Sequence, residues 1–217
     1  MRKNYKAVLI GLLVVLAVSV AASASASAAE CPGTGSGVVL CSGGHVLEGT
    51  IPFTGKKKPG SGSEYEVEGV MKIVCTGSTS KGNYVATKTG VEVTDLVIEN
   101  PGCSLSGHPT CTVKPLVFGL GSGLKGALAS PEQITLSAMG EASFSEISVT
   151  GCEQAYTKKV TGTQKCSLPK STTEAAKHEV VCEVPGGELF AGTKKVHIAF
   201  TEEIALASGK QFSLQKS

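Results

Sequence analysis

The sequence has no tryptophan, its only arginine is Arg2 and its only aspartate is Asp95. Each shortage removes a class of partner. Nucleic-acid binding needs a basic face and favours the bidentate guanidinium fork. The chain holds 20 Lys+Arg against 18 Asp+Glu, but three of the basic residues are Arg2, Lys3 and Lys6. Without them the formal charge is −1, seventeen basic groups against eighteen acidic ones. Nucleic acid is therefore not an expected partner. Calcium sites usually recruit Asp and Asn alongside Glu, and both are scarce. Long helical patterns are also lacking. Ser171–Lys177 (S-T-T-E-A-A-K) resembles a capping box, but it covers only about two turns.

What stands at the N-terminus is a short basic segment, an apolar run from Ala7 to Val20, and a string of small residues from Ala21 to Ala29. That is the three-part layout of a secretory signal peptide. A-x-A frames at Ala22/Ala24, Ala24/Ala26 and Ala26/Ala28 place cleavage near Ala28 or Ala29. The expected organisation is a leader over 1–29 and one β-rich domain over 30–217, with two related halves as a variant. The alternative is an uncleaved membrane anchor, for which the Leu/Val-rich part is short against the roughly 20 apolar residues of a span. Glu30, directly before Cys31, does not fit a lipoprotein signal. The expected location is extracellular, with no membrane contact after cleavage.

The eight cysteines, Cys31, Cys41, Cys75, Cys103, Cys111, Cys152, Cys166 and Cys182, all follow the leader. An even count in an exported chain reads as disulfides. Closeness in sequence favours Cys31/Cys41, Cys103/Cys111 and Cys152/Cys166, which leaves Cys75/Cys182 as a long-range staple. Cys103, His108 and Cys111 also form C-x4-H-x2-C. Zinc sites usually show tighter pairs and a second matching half, which is missing, so no metal is expected.

The remaining hydrophobic signal has a period of two, the mark of strands. In Tyr65–Cys75 one face reads Tyr65, Val67, Gly69, Met71, Ile73, Cys75, and the other begins Glu64, Glu66, Glu68. Val196, Ile198 and Phe200 alternate with polar residues, then Ile204 and Leu206. Ser208-Gly209-Lys210 turns, and Phe212 and Leu214 follow, which predicts a hairpin. Further strands are predicted at Gly90–Ile98, Thr112–Phe118, Gln133–Met139, Phe144–Val149 and His178–Val184. Gly33–Gly37 and Gly55–Ser63 read as flexible loops, the second with a solvated Lys56-Lys57-Lys58 run. Many short strands with Gly, Ser and Pro turns imply an all-β, disulfide-stabilised antiparallel β-sandwich, with a β-barrel as the alternative.

Several motifs lack their required context. Gly121, Gly123 and Gly126 form G-x-G-x-x-G, but Pro131 precludes the long helix a dinucleotide fold needs. Ser78-Thr79-Ser80-Lys81 and Lys88-Thr89-Gly90 match S-x-x-K and K-T-G, yet they stand too close together, without S-D-N or a helical domain. Leu168-Pro169-Lys170-Ser171 resembles a sortase signal but is internal, with no apolar tail and basic end after it. Glu64, Glu66 and Glu68 are spaced roughly 6.5–7 Å on one strand face, within the spread of inverting glycosidases. An exposed acidic strand face is the preferred reading of them. The histidines His45, His108, His178 and His197 have no fixed serine or acid partner. No catalytic, cofactor-binding or metal residue is therefore assigned, and no cofactor is expected.

Lys72-Ile73-Val74-Cys75-Thr76-Gly77, Ala86-Thr87-Lys88-Thr89-Gly90-Val91, Pro101-Gly102-Cys103 and Thr110-Cys111 resemble stretches of a set of uncharacterised secreted β-rich, cysteine-containing proteins of high-GC Gram-positive bacteria. The likeness spans 65–128 and implies export and a β fold, with no established activity. The function expected is a non-catalytic extracellular binding or structural protein, its partner an extracellular ligand or cell-surface polymer. The alternatives are a secreted hydrolase of cell-wall or environmental glycan and an inhibitor that presents a disulfide-fixed loop such as the one between Cys103 and Cys111.

Overall fold

The computed structural model describes residues 30–140, 142–153, 155–183 and 187–217. The expected leader, 1–29, lies outside them. Eighteen strands follow one another: β1 (Val38–Ser42), β2 (His45–Val46), β3 (Gly49–Lys57), β4 (Ser63–Val67), β5 (Met71–Cys75), β6 (Thr79–Ala86), β7 (Val91–Asn100), β8 (Cys103–Leu105), β9 (Thr112–Val113), β10 (Leu116–Phe118), β11 (Leu124–Ser130), β12 (Gln133–Ala138), β13 (Ser145–Thr150), β14 (Tyr156–Ser167), β15 (His178–Cys182), β16 (Gly187–Ala191), β17 (Lys194–Leu206) and β18 (Ser213–Lys216). Their pairings are antiparallel throughout. There is no helix among the described residues. The all-β, disulfide-bonded class is thus what the chain forms, and the main sheet closes as a barrel.

The barrel has two tiers, because a few strands are long enough to change partners along their length. β17 pairs with β16 through Lys194–Val196 and with β4 through Val196–Phe200, then with β15 and β3 through Phe200–Leu206. β14 likewise leaves β13 for β12 on one side, and β16 for β15 on the other. The first tier is a closed ring, β3-β6-β7-β11-β12-β14-β15-β17. The second runs β8-β5-β4-β17-β16-β14-β13-β9, and no ladder joins β8 to β9. Alternation puts apolar side chains inside and polar ones outside. On β17, Val196, Ile198, Phe200, Ile204 and Leu206 are buried, and all belong to one continuous core.

One end is closed by a plug. Leu168 and Ser171 are buried there, the Ser171 hydroxyl donating to the Pro131 carbonyl at 2.6 Å. Phe212 bridges to Ala175 and meets the His178 ring at 4.5 Å and the Tyr84 ring at 6.0 Å. The small sheet β18-β1-β2 adds Val38 and Leu40 of β1 to the barrel core. The second tier is filled instead by Tyr65, Phe118 and Phe144, with ring centroids 5.4 and 5.5 Å apart.

Three of the four disulfides differ from the pairing that sequence proximity suggested. Cys31–Cys41 forms as expected. The others are Cys75–Cys103, Cys111–Cys152 and Cys166–Cys182, in place of Cys103/Cys111, Cys152/Cys166 and Cys75/Cys182. Ring closure is the reason. Cys75 and Cys103 are direct cross-strand partners on β5 and β8, with Cα atoms 3.9 Å apart. Cys166–Cys182 sits at the β14–β15 seam, where Ser167 and Val181 are the one paired register position. Bonds therefore form between strands that the barrel brings side by side.

Other expectations are corrected in the same way. Tyr65–Cys75 is not one strand but the β4–β5 hairpin, turning through Glu68–Val70 with Gly69 at φ 67°. Val67 pairs with Met71, so odd residues face odd residues and the period of two runs unbroken across the turn. The hairpin expected after Leu206 does not form: β18 pairs with β1, not β17. Gly55–Lys57, expected in a loop, ends β3, and Lys58 pairs with Glu179 at 2.5 Å. Thr112–Phe118 is broken into β9 and β10 at Lys114-Pro115, because proline cannot donate to a ladder. Ser171–Lys177 is a run of turns. The strand expected over His178–Val184 is β15, ending at Cys182, and residue 184 lies outside the described residues.

Candidate functional site at the open end of the barrel

Three connections rim the open end of the second tier. They are the β4–β5 turn with Val70 and Met71, the β8–β9 loop from Leu105 to Cys111, and the β13–β14 connection with Gly151, Cys152, Glu153, Ala155 and Tyr156. Together they line a mouth of about 760 Å³. That lies in the range of small-ligand sites, roughly 300–1,000 Å³, and barrel mouths are a common place for them. Met71, Leu105 and Val149 supply the apolar wall, and His108, Glu153 and Tyr156 supply polar groups. Cys111–Cys152 ties two of the three loops together. Partial burial pushes the Tyr156 phenol up.

The β8–β9 loop is held at both ends, through Cys103 to Cys75 and through Cys111 to Cys152. Its five residues from Ser106 to Thr110 are all exposed. The His108 amide donates to the Leu105 carbonyl, and the Cys111 amide to the His108 carbonyl, so the loop is two successive turns.

The first tier holds a second, much smaller cavity of about 40 Å³, walled mainly by apolar groups such as Phe53, Tyr84, Leu136 and Phe200. It has room for about one water molecule and none for an organic ligand. Glu202 and Ser80 are its polar members. The Glu202 carboxylate is 2% exposed and accepts hydrogen bonds from the Ser78 and Ser80 hydroxyls, the latter at 2.5 Å. Gly55 makes room for it, since a Cβ there would stand 2.2 Å from Ser80 Oγ and 2.7 Å from Glu202 Oε2. Burial raises the Glu202 carboxyl above the ordinary range, against the pull of the two hydroxyls. Burial, and then the charge of Glu202, pushes the Tyr65 phenol up as well.

The residues singled out from the sequence are scattered. Glu64 is tied to Lys72 at 2.7 Å, Glu66 is exposed beside it on β4, and Glu68 is in the turn. None of the three lines either cavity. His197 pairs across from Glu66 on the outer face, and His45 is exposed on β2. His178 is buried, its Nε2 2.7 Å from the Phe212 carbonyl. Asp95 sits at φ 53° in a bulge of β7, accepting from Asn83 at 3.1 Å and Thr94 at 3.0 Å. Of the G-x-G-x-x-G glycines, Gly123 packs against that bulge, where a Cβ would come within 2.9 Å of Asp95 Cα, Gly126 lies in β11, and Gly121 faces open space. Cys103 and Cys111 are both oxidised, so C-x4-H-x2-C offers no thiolates to a metal.

Two features were missed in the sequence. Glu202 occupies an even position in the buried phase of β17, between Phe200 and Ile204. A glutamate that interrupts an apolar alternation in phase was the available signal. Tyr156 and Glu153 carried no such signal, and His108, noted only within C-x4-H-x2-C and among the histidines, joins them because the fold brings their loops together. No protein-family model, no curated protein and no solved structure matches the chain.

Proposed function

We propose that this protein is a secreted, non-catalytic binding module that takes its ligand at the open end of the barrel. The observation that carries this reading is the mouth itself, a site of about 760 Å³ rimmed by three connections, two of them joined by Cys111–Cys152. The closed end is plugged, and the inner cavity is too small for an organic ligand. Four disulfides accord with an oxidising, extracellular setting. A leader over 1–29 would deliver the chain there, as in the secreted Gram-positive proteins it resembles.

The test is retention on washed cells and on purified cell walls from culture, with labelled protein. Wild type is retained, and a Tyr156→Ala variant with an unchanged melting temperature is released. Equal retention of the two would overturn the reading.

The exposed β8–β9 loop favours a second reading, an inhibitor that inserts this loop into a partner. Replacement of Ser106–Thr110 by a glycine-serine segment would then abolish partner binding, whereas Tyr156→Ala, outside the loop, would leave it intact.

A further inference from the structure

We infer that the ligand of the mouth is a neutral oligosaccharide. This rests on the reading of the mouth as the binding site. Among the described residues, the lining contains one acid, Glu153, one imidazole, His108, and neither lysine nor arginine. A sulfated, phosphorylated or carboxylated polymer is held by clusters of cations, with arginine favoured for its fork, and the mouth offers no cluster. An acyl chain needs a continuous apolar channel. The mouth is partly polar, and the apolar cavity of the first tier is separate from it and only about 40 Å³.

A sugar ring fits what remains. It presents C–H faces and hydroxyl edges, so it matches a wall that carries both apolar and polar groups. Tyr156 is the one aromatic side chain in the lining, and it is partly exposed at the start of β14. An aromatic ring with an apolar body and a polar tip can lie against a C–H face while its hydroxyl stays wet. The Glu153 carboxylate accepts hydrogen bonds from hydroxyl pairs, and His108 can donate or accept. The Cys111–Cys152 bond fixes the loops carrying these two residues relative to each other, which lowers the entropy lost on binding.

The experiment is an amide-resolved NMR titration of the isotope-labelled mature protein. The probes are chitin, β-glucan and mannan oligomers, a heparin fragment, and a short apolar peptide. At least one neutral oligomer is expected to shift amides of 70–71, 105–111, 151–153 and 155–156. Tyr156→Ala should weaken that binding about tenfold or more, the scale of one good contact, and Tyr156→Phe should largely preserve it. Glu153→Gln, at an exposed loop position, serves as a second variant that leaves the fold intact and should also weaken binding. If heparin or the peptide binds at the mouth and no neutral sugar does, the sugar assignment falls while the mouth stands. If a sugar binds away from the mouth, both fall. If no probe shifts any mouth amide, the sugar assignment falls.

Discussion

The phenol of Tyr65 on β4 donates a hydrogen bond to the side-chain oxygen of Asn100 at the end of β7, at 2.6 Å and fully buried. The Asn100 amide in turn donates to the Leu116 carbonyl of β10 at 3.3 Å. Three strands that are distant in sequence are thus joined across the second tier by one polar chain. A Tyr65→Phe substitution keeps the ring packing against Phe118 but leaves the Asn100 oxygen without its donor. It should lower stability by about 1–3 kcal/mol, read as a lower urea midpoint with an unchanged slope. An unchanged midpoint would show that the bond contributes nothing net.

Glu202 gives the barrel a pH signature. Its folded-state pKa is raised by burial, so the folded chain holds this proton more tightly than the unfolded one. The sign follows by linkage. The contribution to stability is fully present below the ordinary carboxylate range and is lost as pH rises through the raised pKa. Glu202→Gln removes that dependence and keeps a hydrogen-bonding side chain of similar shape. The variant should therefore match or exceed wild type at neutral pH, and the gap should shrink toward acid. Melting temperatures of both proteins from mildly acid to neutral pH check this. A gap that widens toward acid would contradict it.

Gly55 is required by close approach rather than by backbone freedom. A Cβ there meets Ser80 Oγ at 2.2 Å and Glu202 Oε2 at 2.7 Å. Gly55→Ala should cost about 1–3 kcal/mol through overpacking. Adding Ser80→Ala to it removes the nearer of the two clashing atoms and should recover part of the loss. A double variant less stable than the sum of the singles would place the strain elsewhere.

The disulfide pattern has a direct chemical check. Proteolysis without reduction, followed by mass spectrometry, should give peptides joining Cys75 to Cys103, Cys111 to Cys152 and Cys166 to Cys182. Replacing both Cys111 and Cys152 by alanine opens a loop with a sequence separation of 41. Loop-closure entropy sets the expected loss at up to about 4 kcal/mol, seen in the denaturation midpoint.

Much of the strand content was legible because alternation is local. β7, β12, β13 and β15 lie where period-two runs predicted them, and β17 reads directly from Val196 to Leu206. The errors share a physical origin. The β4–β5 hairpin looked like one strand because its register keeps parity across the turn. β3 and β14 were hidden by glycine and lysine, residues that strands tolerate when the barrel supplies partners on both sides.

By itself the sequence determined the class of molecule, an all-β chain whose eight cysteines all sit in disulfides, since periodicity and cysteine count are properties of the chain alone. Only the tertiary structure decided which cysteines bond, because closing a barrel makes neighbours of strands far apart in sequence, such as β14 and β15. The same closure turned Glu202 inward to Ser78 and Ser80. It also set His108, Glu153 and Tyr156 around one mouth, which no spacing along the chain encodes.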